Sequence, residues 1–279
     1  MLMINVAVVS EVKGHDPSDV ARVAAALQRQ ALRDFRGLWR VEATVNAFPK
    51  LEDVPVGYWP ILIKKDIGTP GAAGVHLDKD GQPFALVAMS DSWSLTASHE
   101  LLEMLADPFG NRTVPGQSPK PDQGRVELLV EVCDPSEGEQ FGYTVNDILV
   151  SDFYTPHFFD PLKAHGVRYS YTGAITEPRS ILEGGYVSWH DPVSNHWWQQ
   201  TWFGPQPQFR DLGVFDASST GQSLRSWIDG QTDHPGIDAG LDRDNKTLTA
   251  AVAKGNETAA SAGAKAAAWR EQISAIMEG

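Results

Sequence analysis

His99-Glu100-Leu101-Leu102-Glu103 places an imidazole and two carboxylates inside an otherwise apolar stretch. On a helix of 3.6 residues per turn, His99 and Glu103 stand one turn apart on the same face, where a nitrogen and an oxygen donor can share a cation, and Glu100 falls beside the pair. Asp107 extends the row by another turn, and Pro108 ends the helix. Leu101, Leu102, Met104 and Leu105 cover much of the circumference, so the polar stripe faces either solvent or a cleft lined by other groups. Carboxylates buried without a cation or hydrogen-bond partners are costly, which makes an internal acidic stripe intelligible mainly as a metal site. The plain alternative is an exposed polar face that only happens to spell the pattern.

The elements that must position this helix can be read upstream of it. Residues 4 to 9 form an apolar run suited to a buried strand. Asp16-Pro17-Ser18-Asp19 caps a helix from about Pro17 to Arg36, whose Val20, Val23, Ala24, Leu27, Ala31 and Phe35 recur at three- and four-residue intervals. Strands are predicted from Trp39 to Phe48 and from Trp59 to Ile67. Val75 to Leu77 and Phe84 to Met89 flank Asp78-Lys79-Asp80-Gly81, a hairpin signal with glycine where positive φ is needed. Ser90-Asp91-Ser92 breaks the pattern, and the motif helix starts near Trp93.

A strand, a helix, two strands, a strand pair and then a helix opening on His-Glu-x-x-Glu is an order that resembles the zincin metallopeptidases. The likeness covers roughly residues 1 to 110 as architecture and five residues as motif. It implies an α+β fold with a zincin-like twisted mixed sheet and two main helices. It also implies hydrolysis of peptide bonds in a peptide or protein substrate by a metal-activated water, with His99 and Glu103 as ligands and Glu100 as general base. Zincins commonly draw a further ligand from a later segment; Glu131 is the first choice here and Asp134 the second, with Asp152 and His157 behind them. Asp107, about 6 Å further along the axis, is placed to support the site from outside. Family members often stabilise the oxyanion with a downstream His or Tyr, for which His157 and Tyr154 are the candidates. Glutamate in place of the second histidine of the family's motif adds negative charge. That weakens the metal as a Lewis acid and makes the site harder, so that manganese or calcium could serve beside zinc as the one divalent metal. A non-catalytic zincin-like binding, cargo or effector protein with a structural or vestigial metal site is the competing reading.

Other chemistries are poorly served. Cys133 is the single cysteine, which rules out an intramolecular disulfide and a Cys-based zinc site, and its acidic neighbours would raise rather than lower its pKa. No Gly-rich phosphate loop, GxSxG elbow or CxxC is present, and Gly71-Ala72-Ala73-Gly74 lacks the lysine of a nucleotide site. A net charge of −13 disfavours nucleic acid and anionic membrane surfaces. No run approaches the roughly 20 apolar residues of a membrane helix. The N-terminus lacks the basic region of a signal peptide, so a cytoplasmic protein is expected, with signal-independent export as an alternative.

After the helix, a loop rich in Pro and Gly runs to Gly124. A strand from Val126 to Val132 leads into Cys133-Asp134-Pro135, and a hairpin around Tyr143 to Val150 delivers Tyr154 and His157. Three regions are predicted: a zincin-like metal-binding domain over 1–175, an aromatic β-hairpin extension over 176–215, and a flexible tail over 216–279. The hairpin gathers Tyr186, Trp189, Trp197, Trp198 and Trp202, which would pack a satellite core or, if exposed and coplanar, bind glycan. The tail carries an alanine-rich helix from about Glu257 to Met277 that could dock on a protein partner.

Overall fold

The computed structural model describes residues 3–69, 71–79, 81–220 and 223–232. Five strands build the first sheet: β1 (Ile4–Ser10), β2 (Ala43–Phe48), β3 (Tyr58–Lys64), β4 (Gly74–Lys79) and β5 (Gln82–Ala88), in the order β2-β1-β3-β5-β4. β1 runs parallel to β2 and β3, and β3 parallel to β5, while β4 is an antiparallel edge strand held by β5. Both faces of this sheet are covered, which is why its strands read as continuous apolar runs. Val6, Val8, Ile61, Ile63, Ala85 and Val87 face the main core. The alternate residues Ala7, Val9, Leu62, Phe84 and Leu86 face a second apolar cluster with Val54 and Ile67. Gly81 takes the hairpin turn at φ +80°.

Helix α1 (Pro17–Arg29) starts where Asp16 accepts a hydrogen bond from the Ser18 amide, with Pro17 at its first position. The expected uninterrupted helix to Arg36 instead widens into a π-helical segment, Gln30–Phe35, before a last turn, α2 (Arg36–Trp39), stopped by Arg40 in the left-handed region. Trp39 is thus helical and β2 begins at Ala43, later than the sequence suggested. The widened segment faces Gln30 inward: its amide donates to the Ser151 carbonyl at 3.0 Å and accepts from Ser98 Oγ at 2.8 Å. Ser98 belongs to α3 (Trp93–Ala106), the motif helix, which packs against β4 and β5. Its Oγ also accepts from the Ser151 amide. One hydroxyl therefore joins α3 to both α1's extension and the segment after Val150.

The second sheet is antiparallel, formed by β6 (Thr113–Gln117), β7 (Arg125–Leu129), β10 (Tyr186–Asp191), β11 (His196–Thr201) and β12 (Gln208–Gly213), in the order β12-β11-β10-β7-β6. Between them in the chain, β8 (Tyr143–Val145) and β9 (Ile148–Val150) form a separate hairpin, with β9 beside α3. β6 occupies part of the stretch expected to be loop; Pro115 is tolerated there because the strand lies at the sheet's edge. The aromatic hairpin is not free-standing. β10 pairs with β7, and Trp189 is fully buried in the main core, its indole N–H donating to Gln123 at 2.8 Å. Trp197 is buried in a third cluster with Leu129, Leu212 and Ile228, and Trp198 and Trp202 pack against the main core. The rings therefore make core, not a glycan platform.

Two short helices, α4 (Ala217–Thr220) and α5 (Leu224–Asp229), end the described chain. Ile228 anchors α5 in the third cluster. The alanine-rich helix expected from about Glu257 to Met277 lies outside the described residues. The architecture is mixed α+β, and no helix among the described residues is long and apolar enough to cross a membrane.

Candidate metal centre

α3 delivers His99 and Glu100 to a cleft of about 250 Å³, whose walls include Gly71 to Val75, Thr96, Glu137, Tyr186 and Arg225. Glu103 is completely buried. Its Oε1 accepts from the Cys133 amide at 3.2 Å and lies 3.3 Å from His99 Nε2, which is itself 3.1 Å from Asp134 Oδ1. Of these three residues His99 lines the cleft, with Glu103 and Asp134 buried behind it. After β7 the chain continues through buried Val130 and Val132, and this strand exit brings Glu131 and Asp134 beneath the helix.

A second imidazole reaches the same cluster from β4. His76 is 1% exposed, with Nδ1 3.6 Å from Glu100 Oε2 and 3.5 Å from Glu103 Oε2. Arg225, from α5, enters from the C-terminal side. Its guanidinium pairs with Glu131, lies 3.2 Å from Asp134 Oδ2 and 3.6 Å from Glu103 Oε2, and reaches the Tyr186 hydroxyl at 3.3 Å, while Nε is 3.0 Å from Asp229.

Burial and charge compete throughout this cluster. For His99 and His76 burial disfavours the charged ring, yet the facing carboxylates outweigh it and both pKa values stand well above the ordinary value. Burial would raise Glu103, but His99 and Arg225 hold it well below the carboxylate range. Glu131 and Glu137 go the other way, pushed well up by burial and by neighbouring acids, with Arg225 opposing. Asp229 is pushed up to about 6, first by burial.

Among the buried atoms here that have no hydrogen-bond partner are both nitrogens of His76, Glu100 Oε2, Glu103 Oε2, Glu131 Oε1 and Asp134 Oδ1. Buried polar atoms are seldom left in that state. The spacings suit a cation, because ligands about 2.0–2.2 Å from a tetrahedral zinc stand about 3.3–3.6 Å apart, against the 3.1–3.6 Å found between these histidine nitrogens and carboxylate oxygens. The residues present fit a divalent metal.

Of the residues singled out from sequence, His99, Glu100, Glu103, Glu131 and Asp134 come together. Asp107 does not join them: its carboxylate accepts from the Arg112 amide at 2.7 Å and holds the turn after α3. Asp152 is buried elsewhere, accepting from Thr172. Tyr154 is buried, and the charges of Glu131, Glu103 and Asp134 add to burial in raising its pKa, but it does not line the cleft. His157 is 57% exposed, bonded to Asp160 at 2.9 Å and lining a different cleft. Cys133 is buried, and its Sγ is close enough to His99 and Glu103 to share an ion; burial raises its pKa, and the thiol sits 3.8 Å from the His99 carbonyl. Sequence reasoning missed His76, Glu137, Tyr186, Arg225 and Asp229. A histidine between Val75 and Leu77 in an apolar strand was the one available signal; Arg225, in a stretch of Ser, Gly and Asp, gave none. No protein-family model, curated protein or solved structure matches the chain.

Proposed function

We propose that this protein is a metal-dependent peptidase of zincin-like build, in which His99, Glu103 and Asp134 hold a divalent cation, zinc before manganese or calcium. The carrying observation is His99, which lines the cleft with Glu100 and whose Nε2 lies 3.3 Å from Glu103 Oε1 and 3.1 Å from Asp134 Oδ1. The sheet supports the same reading, since three parallel pairings and an antiparallel edge strand set the motif helix beside that edge. A peptide substrate in extended form could pair with the outer edge of β4 and so lie across the cleft.

Bound at these residues, the metal would polarise the scissile carbonyl and lower the pKa of water. The chain's own part is proton handling and positioning. Glu100 Oε1 lies against Gly74, and both residues line the cleft. From there the carboxylate accepts a proton as the water oxygen bonds to the carbonyl carbon, and returns it to the nitrogen as the carbon–nitrogen bond breaks. Glu131 and Arg225 hold the back of the centre, the guanidinium fixing Asp134 through Oδ2 and leaving Oδ1 toward His99.

A second reading, a non-catalytic zincin-like binding or effector protein, is favoured by Arg225, an internal cation already paired with two of the acids. Elemental analysis of the purified protein, with wild type and Glu100→Gln assayed on a broad peptide mixture, separates the two. Cleavage lost in the variant with metal retained supports the peptidase. Stoichiometric metal with no cleavage in either form supports the binding protein, and protein that takes up no divalent metal ends both metal readings.

A further inference from the structure

We infer that Glu103 bridges two divalent cations, the second held by His76 Nδ1, Glu100 Oε2 and Glu103 Oε2. This rests on the metal reading of His99, Glu103 and Asp134 and adds a site to it. The two histidines approach opposite oxygens of one carboxylate: His99 stands 3.3 Å from Oε1 and His76 stands 3.5 Å from Oε2. A carboxylate addressed in this way from two sides has the disposition of a bridging ligand. His76, Glu100 and Glu103 offer donor atoms close enough together to share one ion, all three residues being buried.

The independent observation is His76 itself. It sits on an edge strand, yet it is buried and both ring nitrogens lack a hydrogen-bond partner. Its Nδ1 is too far from either carboxylate for a good hydrogen bond, which needs about 2.7–3.2 Å, and at the right separation for two ligands of one ion. A cation between the three donors satisfies Nδ1, Glu100 Oε2 and Glu103 Oε2 together. Glu100 contributes only Oε2, so that Oε1 stays against Gly74 on the cleft side and keeps its role in proton transfer.

Glu103, Glu131, Asp134, Glu137 and Asp229 surround one guanidinium. Arg225 is taken up by Glu131, Asp134 and Asp229, and its approach to Glu103 Oε2 is a long 3.6 Å. Carboxylate, imidazole and a shared acid are ligands that manganese and zinc both accept.

The test is Mn2+ loading of the full chain, reading bound metal per chain by elemental analysis and its electronic state by electron paramagnetic resonance. Two ions per chain with an exchange-coupled spectrum are expected. In His76→Ala the count should fall from two to one, with the spectrum of an isolated ion. One ion in the wild type, unchanged in His76→Ala, overturns the bridge and leaves the first site standing; the same count with His76 seen as an imidazolium by 15N resonance overturns it too. No bound ion in the wild type removes both readings. Should His76→Ala fail to fold, His76→Gln replaces it, and the wild-type count and coupling decide on their own.

Discussion

Gly74 makes room for Glu100: a Cβ built on this glycine would stand 2.5 Å from Glu100 Oε1, 2.6 Å from Thr96 Cγ2 and 2.9 Å from Glu100 Cγ. The edge strand and the motif helix meet here without a side chain between them. Gly74→Ala should push the Glu100 carboxylate off its position while leaving His99, Glu103 and Asp134 in place. The expected result is a fall in peptide hydrolysis of about 100-fold or more, the scale of a lost proton acceptor, with the ion at His99 retained. Metal analysis beside kcat/KM checks it; full activity in the variant would mean that Glu100 is not the proton acceptor.

Away from the site, Asp34 gives a pH dependence with a definite sign. The carboxylate is buried, which opposes its charge, but Arg33, Tyr171 and Tyr143 outweigh this and lower its pKa. Tyr171 donates at 2.7 Å, Arg33 at 2.8 Å and Tyr143 at 2.9 Å. A depressed acid stabilises the native state above its unfolded pKa, about 3.9, and loses that stabilisation as the pH falls through the folded value. Asp34→Asn should therefore be less stable than wild type by about 1–3 kcal/mol at neutral pH. The gap should stay level down to about pH 5 and close below about pH 4. Urea denaturation across this range measures it, and a gap that widened in acid would contradict the assignment.

Ser98, one residue before His99, tests how far the scaffold and the site are coupled. Its hydroxyl donates to Gln30 and accepts from the Ser151 amide in a fully buried position. Ser98→Ala strands the Gln30 acceptor and the Ser151 donor and should cost about 1–3 kcal/mol. The motif helix buries Leu101, Leu102, Met104 and Leu105 as well, so the donors should stay in register. The expectation is a lower denaturation midpoint with unchanged metal stoichiometry, read by paired denaturation and metal titration.

What the sequence could reveal followed from how locally each feature is determined. The hairpin over 74–88 and the helix over 93–106 carry their own turn and period signals, and both formed where expected. The five residues that converge, His99, Glu100, Glu103, Glu131 and Asp134, lie on α3 or just after β7. His76 was passed over because strand alternation cannot tell a ring facing solvent from one capped by a helix whose position depends on the whole sheet. Gly74 read as part of a weak nucleotide pattern; its purpose is visible only once Glu100 lies against it. Pro115 hid β6, since an edge position is a property of the assembled sheet.

Arg225 was the least legible and should be the most sensitive. A buried cation requires acids supplied from elsewhere, here Glu131 and Asp134 from the exit of β7 and Asp229 from its own helix, 3.0–3.2 Å away for the two aspartates. Its side chain is 7% exposed, so replacement cannot be compensated by solvent. Arg225→Met keeps much of the volume and removes the charge, leaving buried carboxylates unpaired, a loss of about 3–5 kcal/mol. Added Zn2+ or Mn2+ should recover more stability in the variant than in wild type, because the cation then carries neutralisation that the guanidinium otherwise shares. Thermal melts with and without metal measure the difference. An Arg225→Met protein as stable as wild type, and no more responsive to metal, would show that the guanidinium does not balance these acids.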